Sequence, residues 1–123
     1  MKQIGRRGPK EDRLRIAERI VELSGKRLLT KINTDHITLK VGPSVAVVIS
    51  NSDRVGFFIR SKYLLDKARE EGFSPESAKI KWKKDEHKFL FPRLSLGQID
   101  AHEELFREIV DESIATTFAP KNS

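Results

Sequence analysis

The sequence predicts an α+β protein: one mainly antiparallel sheet of five or six strands with three helices, in the order α-βββ-α-ββ-α. Three observations predict it. Apolar residues recur at helical spacing in three separated segments. Between them, short runs alternate apolar and polar residues or are apolar throughout, as strands do. Clusters of Gly, Pro, Asn and Asp separate those runs closely enough for hairpins rather than long crossovers.

The elements follow in order. Residues 1–9 read as a flexible basic arm, since Gly5, Gly8 and Pro9 break structure beside Arg6 and Arg7. The expected domain covers 10–118. Its first helix runs from about Lys10 to Leu23, with Leu14, Ile16, Ala17, Ile20, Val21 and Leu23 at helical spacing. Pro9 suits its entry and Gly25 its exit. Leu28 to Ile32 is a short strand. In the next strand, Ile37, Leu39 and Val41 alternate with Thr38 and Lys40. Gly42-Pro43 turns the chain into the apolar run Val45 to Ile49. Asn51-Ser52-Asp53 turns it again into Val55 to Ile59, where Gly56 marks a bulge or a close approach. The second helix has Ser61 as N-cap, Gly72 just past its end, and Leu64, Leu65 and Ala68 on its inner face. Ser74-Pro75-Glu76 reads as a loop. Two further strands, about Lys79 to Lys83 and Lys88 to Leu94, form a hairpin. One last helix is expected from Gln98 to Thr116, and 119–123 as a frayed tail.

Composition bounds the chemistry. At 123 residues the chain is the size of one ordinary domain, with 37% apolar and 34% charged residues. It has no cysteine, which excludes disulfides and thiolate metal sites. The N-terminal decapeptide lacks the apolar core of a signal peptide, and no apolar run approaches the ~20 residues that span a bilayer. The expectation is a cytoplasmic protein with no membrane partner. Few Asn and Gln among many Lys, Arg and Glu hint at a thermophilic source, or reflect scatter in a short chain. The net charge of +6 is unevenly placed: residues 94–123 hold two basic and six acidic residues, a net of −4, which leaves +10 on the other 93. Such a field attracts polyanions, or serves solubility alone.

The most informative stretch is Lys79-Ile80-Lys81-Trp82-Lys83-Lys84. In a strand, alternate side chains share a face, so Lys79, Lys81 and Lys83 line one side, ~7 Å apart and near the phosphate spacing of a nucleic-acid strand. The hairpin returns through Lys88 and Arg93. Trp82, on the opposite side, reads as core before it reads as a stacking platform. A second basic region is the arm and first helix turn: Arg6, Arg7, Lys10 and Arg13. An arginine-bearing arm can enter a minor groove, or simply solubilise the chain. Arg60 and Lys62 sit where the second helix begins, and its backbone N–H groups favour anions.

No constellation for catalysis emerges. His36, His87 and His102 lie in different elements without metal-ligand spacing and read as surface histidines. Asp53, Asp85 and Glu86 lie near strand ends and are the candidates for a nuclease-like metal set, but Asp85-Glu86-His87-Lys88 reads first as a polar hairpin tip. There is no phosphate-cradling Gly-rich loop and no nucleophile elbow. No catalytic residue, metal or cofactor is therefore expected. The carboxylates of the last helix, from Asp100 to Glu112, read as a solvated face, as a surface for a basic partner, or as partners of the protein's own basic residues.

The element order resembles the double-wing domains, which include the MmcQ/YjbR-like proteins. The features that carry it are the meander before the short helix from Ser61 to Gly72, Trp82 within Lys-Trp-Lys, and the run Ile109-Val110-Asp111-Glu112-Ser113-Ile114. The chain departs from that family in having Ile114 where tyrosine is frequent, and Gly42-Pro43-Ser44 where Gly-Gly-Lys is frequent. The resemblance implies a sheet with two hairpin wings and, as in some members, DNA binding. The expectation is then a non-enzymatic protein that contacts phosphates of DNA, or of RNA, through Lys79, Lys81, Lys83, Lys84, Lys88 and Arg93, and through Arg6, Arg7, Lys10 and Arg13. The alternatives are a protein-interaction module, acting as a homodimer or through the acidic last helix, and a small metal-dependent nuclease.

Overall fold

The chain rises from an amphipathic helix into a sheet that the remaining helices cover on the same side. The computed structural model describes residues 11–34, 36–50, 54–78 and 88–118. Its elements are α1 (Glu11–Leu23), β1 (Leu29–Ile32), β2 (His36–Val41), β3 (Ser44–Ser50), β4 (Arg54–Phe58), α2 (Lys62–Glu70), β5 (Glu76–Ala78), β6 (Lys88–Pro92), α3 (Leu96–Ala101) and α4 (Glu103–Phe118). The fold is α+β. The strands form one six-stranded sheet in the order β1-β2-β3-β4-β6-β5, and every described pairing is antiparallel.

α1 buries Ile16, Ala17, Ile20 and Leu23, a stripe one helical face wide. It ends in a Schellman motif: Lys26 N–H donates to Val21 O and Gly25 N–H to Glu22 O, both at 3.0 Å. Gly25 takes the left-handed φ of +70° that this ending demands. Between β2 and β3, Val41 pairs with Ser44, so Gly42-Pro43 is a two-residue loop with Gly42 at φ +62°. Proline holds φ near −65° and so excludes a type I′ turn, leaving type II′ with glycine first.

The register shifts between Leu39 and Lys40, which pair with Val47 and Val45, so Ala46 is an extra residue in β3. Ser113 of α4, with no exposed surface, donates its hydroxyl to Ala46 O at 2.6 Å and accepts Phe58 N–H at 2.9 Å. One buried side chain thus satisfies the bulge and the end of β4 together. Gly56 is a close approach and not a bulge. A Cβ there would stand 2.9 Å from Leu90 Cδ2 and 3.1 Å from Lys88 Cε.

The core lies between the sheet and the helices. Ile37, Leu39, Val47, Ile49, Val55, Phe57 and Phe91 face Ile20, Phe106, Ile109 and Val110. Phe57, Phe73, Phe91 and Phe106 meet mainly edge to face, with centroids 5.2 to 6.2 Å apart.

Two expectations need correction. The single last helix is two. Ser95 and Gln98 form a reciprocal capping box that starts α3 earlier than expected, and the chain leaves helical geometry at His102 (φ −123°, ψ 43°) before α4. Helical spacing of apolar residues carries across such a break, so periodicity alone does not reveal it. The described residues therefore contain four helices where three were expected. Glu76, expected in a loop, starts β5. The strand expected over 79–83 lies outside the described residues. Among the described residues, no helix is long and apolar enough to cross a membrane.

Candidate phosphate-binding surface

The acidic last segment is turned onto the protein's own cations. Arg19 of α1 holds Asp100 at 2.8 Å, Glu103 at 3.2 Å and Glu22 at 3.1 Å. Arg27 pairs with Asp111, Lys67 with Glu108 at 3.5 Å, and Arg107 with Glu103 at 2.6 Å. Asp100 and its neighbours hold the Arg19 guanidinium pKa above its ordinary value, and Glu108 does the same for Lys67. Glu112 accepts the backbone N–H of Arg60 at 2.8 Å and of Ser61 at 3.0 Å. The anion expected at the start of α2 is therefore supplied from within the chain, beside the Ser61 cap that accepts Leu64 N–H.

Among the described residues, Lys26, Lys31, Lys40, Arg60, Lys62 and Arg93 take part in none of these ion pairs. Register places two of them on the face of the sheet opposite the helices. Lys31 pairs with Thr38, and Lys40 with Leu29, whereas the neighbouring Ile37 and Leu39 point into the core. At the far edge of the same face, Arg54 and Glu76 approach to 3.6 Å across β6. Among the described residues, Lys31 and Lys40 thus stand near the β1 edge of that face.

Of the residues singled out in the sequence, Arg6, Arg7, Lys10, Lys79, Lys81, Lys83 and Lys84 lie outside the described residues, as do Asp53, Asp85, Glu86 and His87. Lys88 pairs across the sheet with Phe58, half-buried, and burial lowers its ammonium pKa. Arg93 stands exposed just past β6, in the left-handed backbone region at φ +55°.

Arg13 and Arg93 are 80 positions apart, yet both line one cavity of about 410 Å³. Arg15 and Asp12 complete its charged wall, and Ile16, Ile49 and Val55 are among its apolar lining. Arg13 is only 6% exposed, and it and Arg15 also make interactions within the protein. Sequence reading assigned Arg13 to the arm and Arg93 to the hairpin. It had no means to join them and did not single out Arg15.

His102 is not the surface histidine expected. Its Nδ1 lies 2.6 Å from Glu71 Oε1, and its ring meets Phe73 edge-on at 5.0 Å, tying the break between α3 and α4 to the end of α2. Among the described residues, no group of three His, Asp or Glu is placed to hold a metal ion. Compared with family models, curated proteins and solved structures, the chain matches none.

Proposed function

We propose that the protein binds nucleic acid, DNA before RNA, without catalysis, and that phosphate contacts dominate its affinity. One observation carries this reading: four of the six carboxylates of α3 and α4, Asp100, Glu103, Glu108 and Asp111, are engaged by Arg19, Arg27, Lys67 and Arg107, so they screen the cations elsewhere less. A net charge of +6 with four carboxylates of α3 and α4 paired internally is open to a polyanion at Lys31, Lys40 and Arg93, and through the lysines of 79–84. The double-wing resemblance implies the same role. Specificity for base sequence is expected to be weak, because phosphate contacts carry no sequence information.

Fluorescence anisotropy with double-stranded DNA, single-stranded DNA and RNA at several salt concentrations tests this. If Lys79, Lys81, Lys83, Lys84, Lys88 and Arg93 all engage, log K falls against log salt with a slope of roughly −4 to −5. Charge reversal of Lys79, Lys81 and Lys83 lowers affinity and flattens that slope by about 2 to 3. Failure to bind all three probes at low salt, or an affinity indifferent to salt, refutes the reading.

A second reading rests on β1. It is an edge strand whose Leu29 and Ile32 are 68% and 58% exposed. Such an edge can take another strand, from a second copy or from a different protein. Light scattering over a wide concentration range distinguishes self-pairing from a monomer.

A further inference from the structure

We infer that the open edge of β1 takes an extended acidic peptide as an added strand, with apolar and carboxylate side chains alternating along it; this rests on the edge-strand reading and deepens it by naming the occupant.

The backbone supplies the template. β1 ends the described sheet, with β2 as its one neighbour there. Asn33 N–H donates to His36 O at 2.8 Å, which makes these two a hydrogen-bonded pair. Such pairs alternate along an antiparallel ladder, so Lys31 and Leu29 bond across to Thr38 and Lys40. Thr30 and Ile32 then turn their N–H and C=O groups the other way, toward the open edge. A further strand can pair with those groups.

The side chains select the strand. Thr30 and Ile32 stand on the helix side of the sheet, opposite Leu39 and Ile37, which enter the core. Leu29 and Lys31 stand on the other face, where Lys40 lies diagonal to Lys31. All of β1 is exposed, Leu29 and Ile32 included. Among the described residues, Lys31 and Lys40 take part in no ion pair. An added strand therefore meets an apolar contact at Ile32 on one face and two ammonium groups on the other. Cross-strand neighbours of opposite charge favour pairing, so carboxylates belong on the face of Lys31.

A second copy fits this edge poorly. A two-fold antiparallel pairing must align outward residues with outward residues, which allows Thr30 on Thr30, Thr30 on Ile32, or Ile32 on Ile32. With Thr30 on Ile32, Lys31 stands directly opposite its own copy. In the other alignments it stands diagonal to that copy, about 7 to 8 Å away and within reach of a long side chain. Each alignment brings like charges together. Lysine on an edge strand guards against self-pairing in this way, and the same charge favours a carboxylate-bearing strand.

The test titrates the whole protein with labelled peptides of about eight residues, one alternating Val and Glu and the other Val and Lys, by anisotropy at moderate salt. The Val-Glu peptide binds about tenfold tighter than the Val-Lys peptide. Amide exchange followed by NMR shows Thr30 and Ile32 newly protected, with Leu29 and Lys31 unchanged because β2 already holds them. In Lys31→Glu the ratio of the two affinities falls to near one, while circular dichroism confirms the fold. A preference that survives in Lys31→Glu comes from net charge and overturns the proposal. So does binding without protection of Thr30 and Ile32, or equal affinity of both peptides in the parent protein, which needs no variant. Self-association by light scattering, with those two amides protected in the absence of peptide, gives the edge to a second copy; it overturns the acidic occupant and leaves the edge-strand reading. Protection by double-stranded DNA and by neither peptide gives the edge to nucleic acid. No protection under any of these conditions overturns the edge-strand reading itself.

Discussion

Arg19 and Arg93 carry the same guanidinium into opposite settings. Arg19 lies against α3 and α4 with Asp100, Glu103 and Glu22 all within 3.2 Å, and its charge is spent inside the molecule. Arg93 stands exposed on a left-handed residue, and the cavity it lines holds two more arginines and one aspartate. Four of the six carboxylates of α3 and α4 are paired within the chain. Arg93 takes part in none of the ion pairs that α3 and α4 make. The difference teaches that net charge is a poor guide to a binding surface until its internal pairs are subtracted. Here the subtraction removes the acidic helix and leaves the other cations.

Substitutions break or sharpen this contrast. The largest effect belongs to Ser113→Ala. It removes the hydroxyl that serves Ala46 O and Phe58 N–H, leaving two buried backbone groups without that partner, at a cost of about 1 to 3 kcal/mol by urea unfolding. Arg93→Gly acts in the other direction. Relief of the left-handed strain outweighs the added freedom of the unfolded chain, so it stabilises by about 0.5 to 1 kcal/mol while weakening phosphate binding. A destabilised Arg93→Gly contradicts the contrast, because it makes Arg93 structural like Arg19. Arg19→Gln costs under about 1 kcal/mol, since its partners are well exposed, and the loss shrinks as salt rises in thermal melts.

Lys88→Met is the smallest. Burial lowers the folded pKa of Lys88, so the unfolded chain holds its proton more tightly. Its charged form therefore weighs against folding below the folded pKa, and that penalty fades as pH rises toward the ordinary value of 10.5. Lys88→Met is then more stable than the parent near neutrality, and the gap narrows in denaturation curves taken at alkaline pH.

Much of the fold was legible because it is written in local signals. Helical spacing marked α1 to within a residue, alternation marked β2, and Gly42-Pro43 marked the turn after it. Ser61 and Gly72 marked the ends of α2, and both hold their expected roles, Gly72 with φ +99°. The split of the last helix was missed for a different reason. Its apolar face continues across His102, and what holds the break, the approach of Glu71 and Phe73, comes from about thirty residues away. The Ser95–Gln98 capping box was in the sequence and was the signal that could have found it.

The candidate site divides in the same way. Composition and charge asymmetry named basic residues, Arg13 and Arg93 among them, because a charge belongs to its residue wherever the chain takes it. The sequence alone determined the fold class, the strand alternation and the excess of cation. Only the tertiary structure decided which cations α3 and α4 consume and which three arginines meet at a cavity. Pairing depends on distances of a few ångströms between residues 80 positions apart, and no local pattern along a chain encodes such a distance.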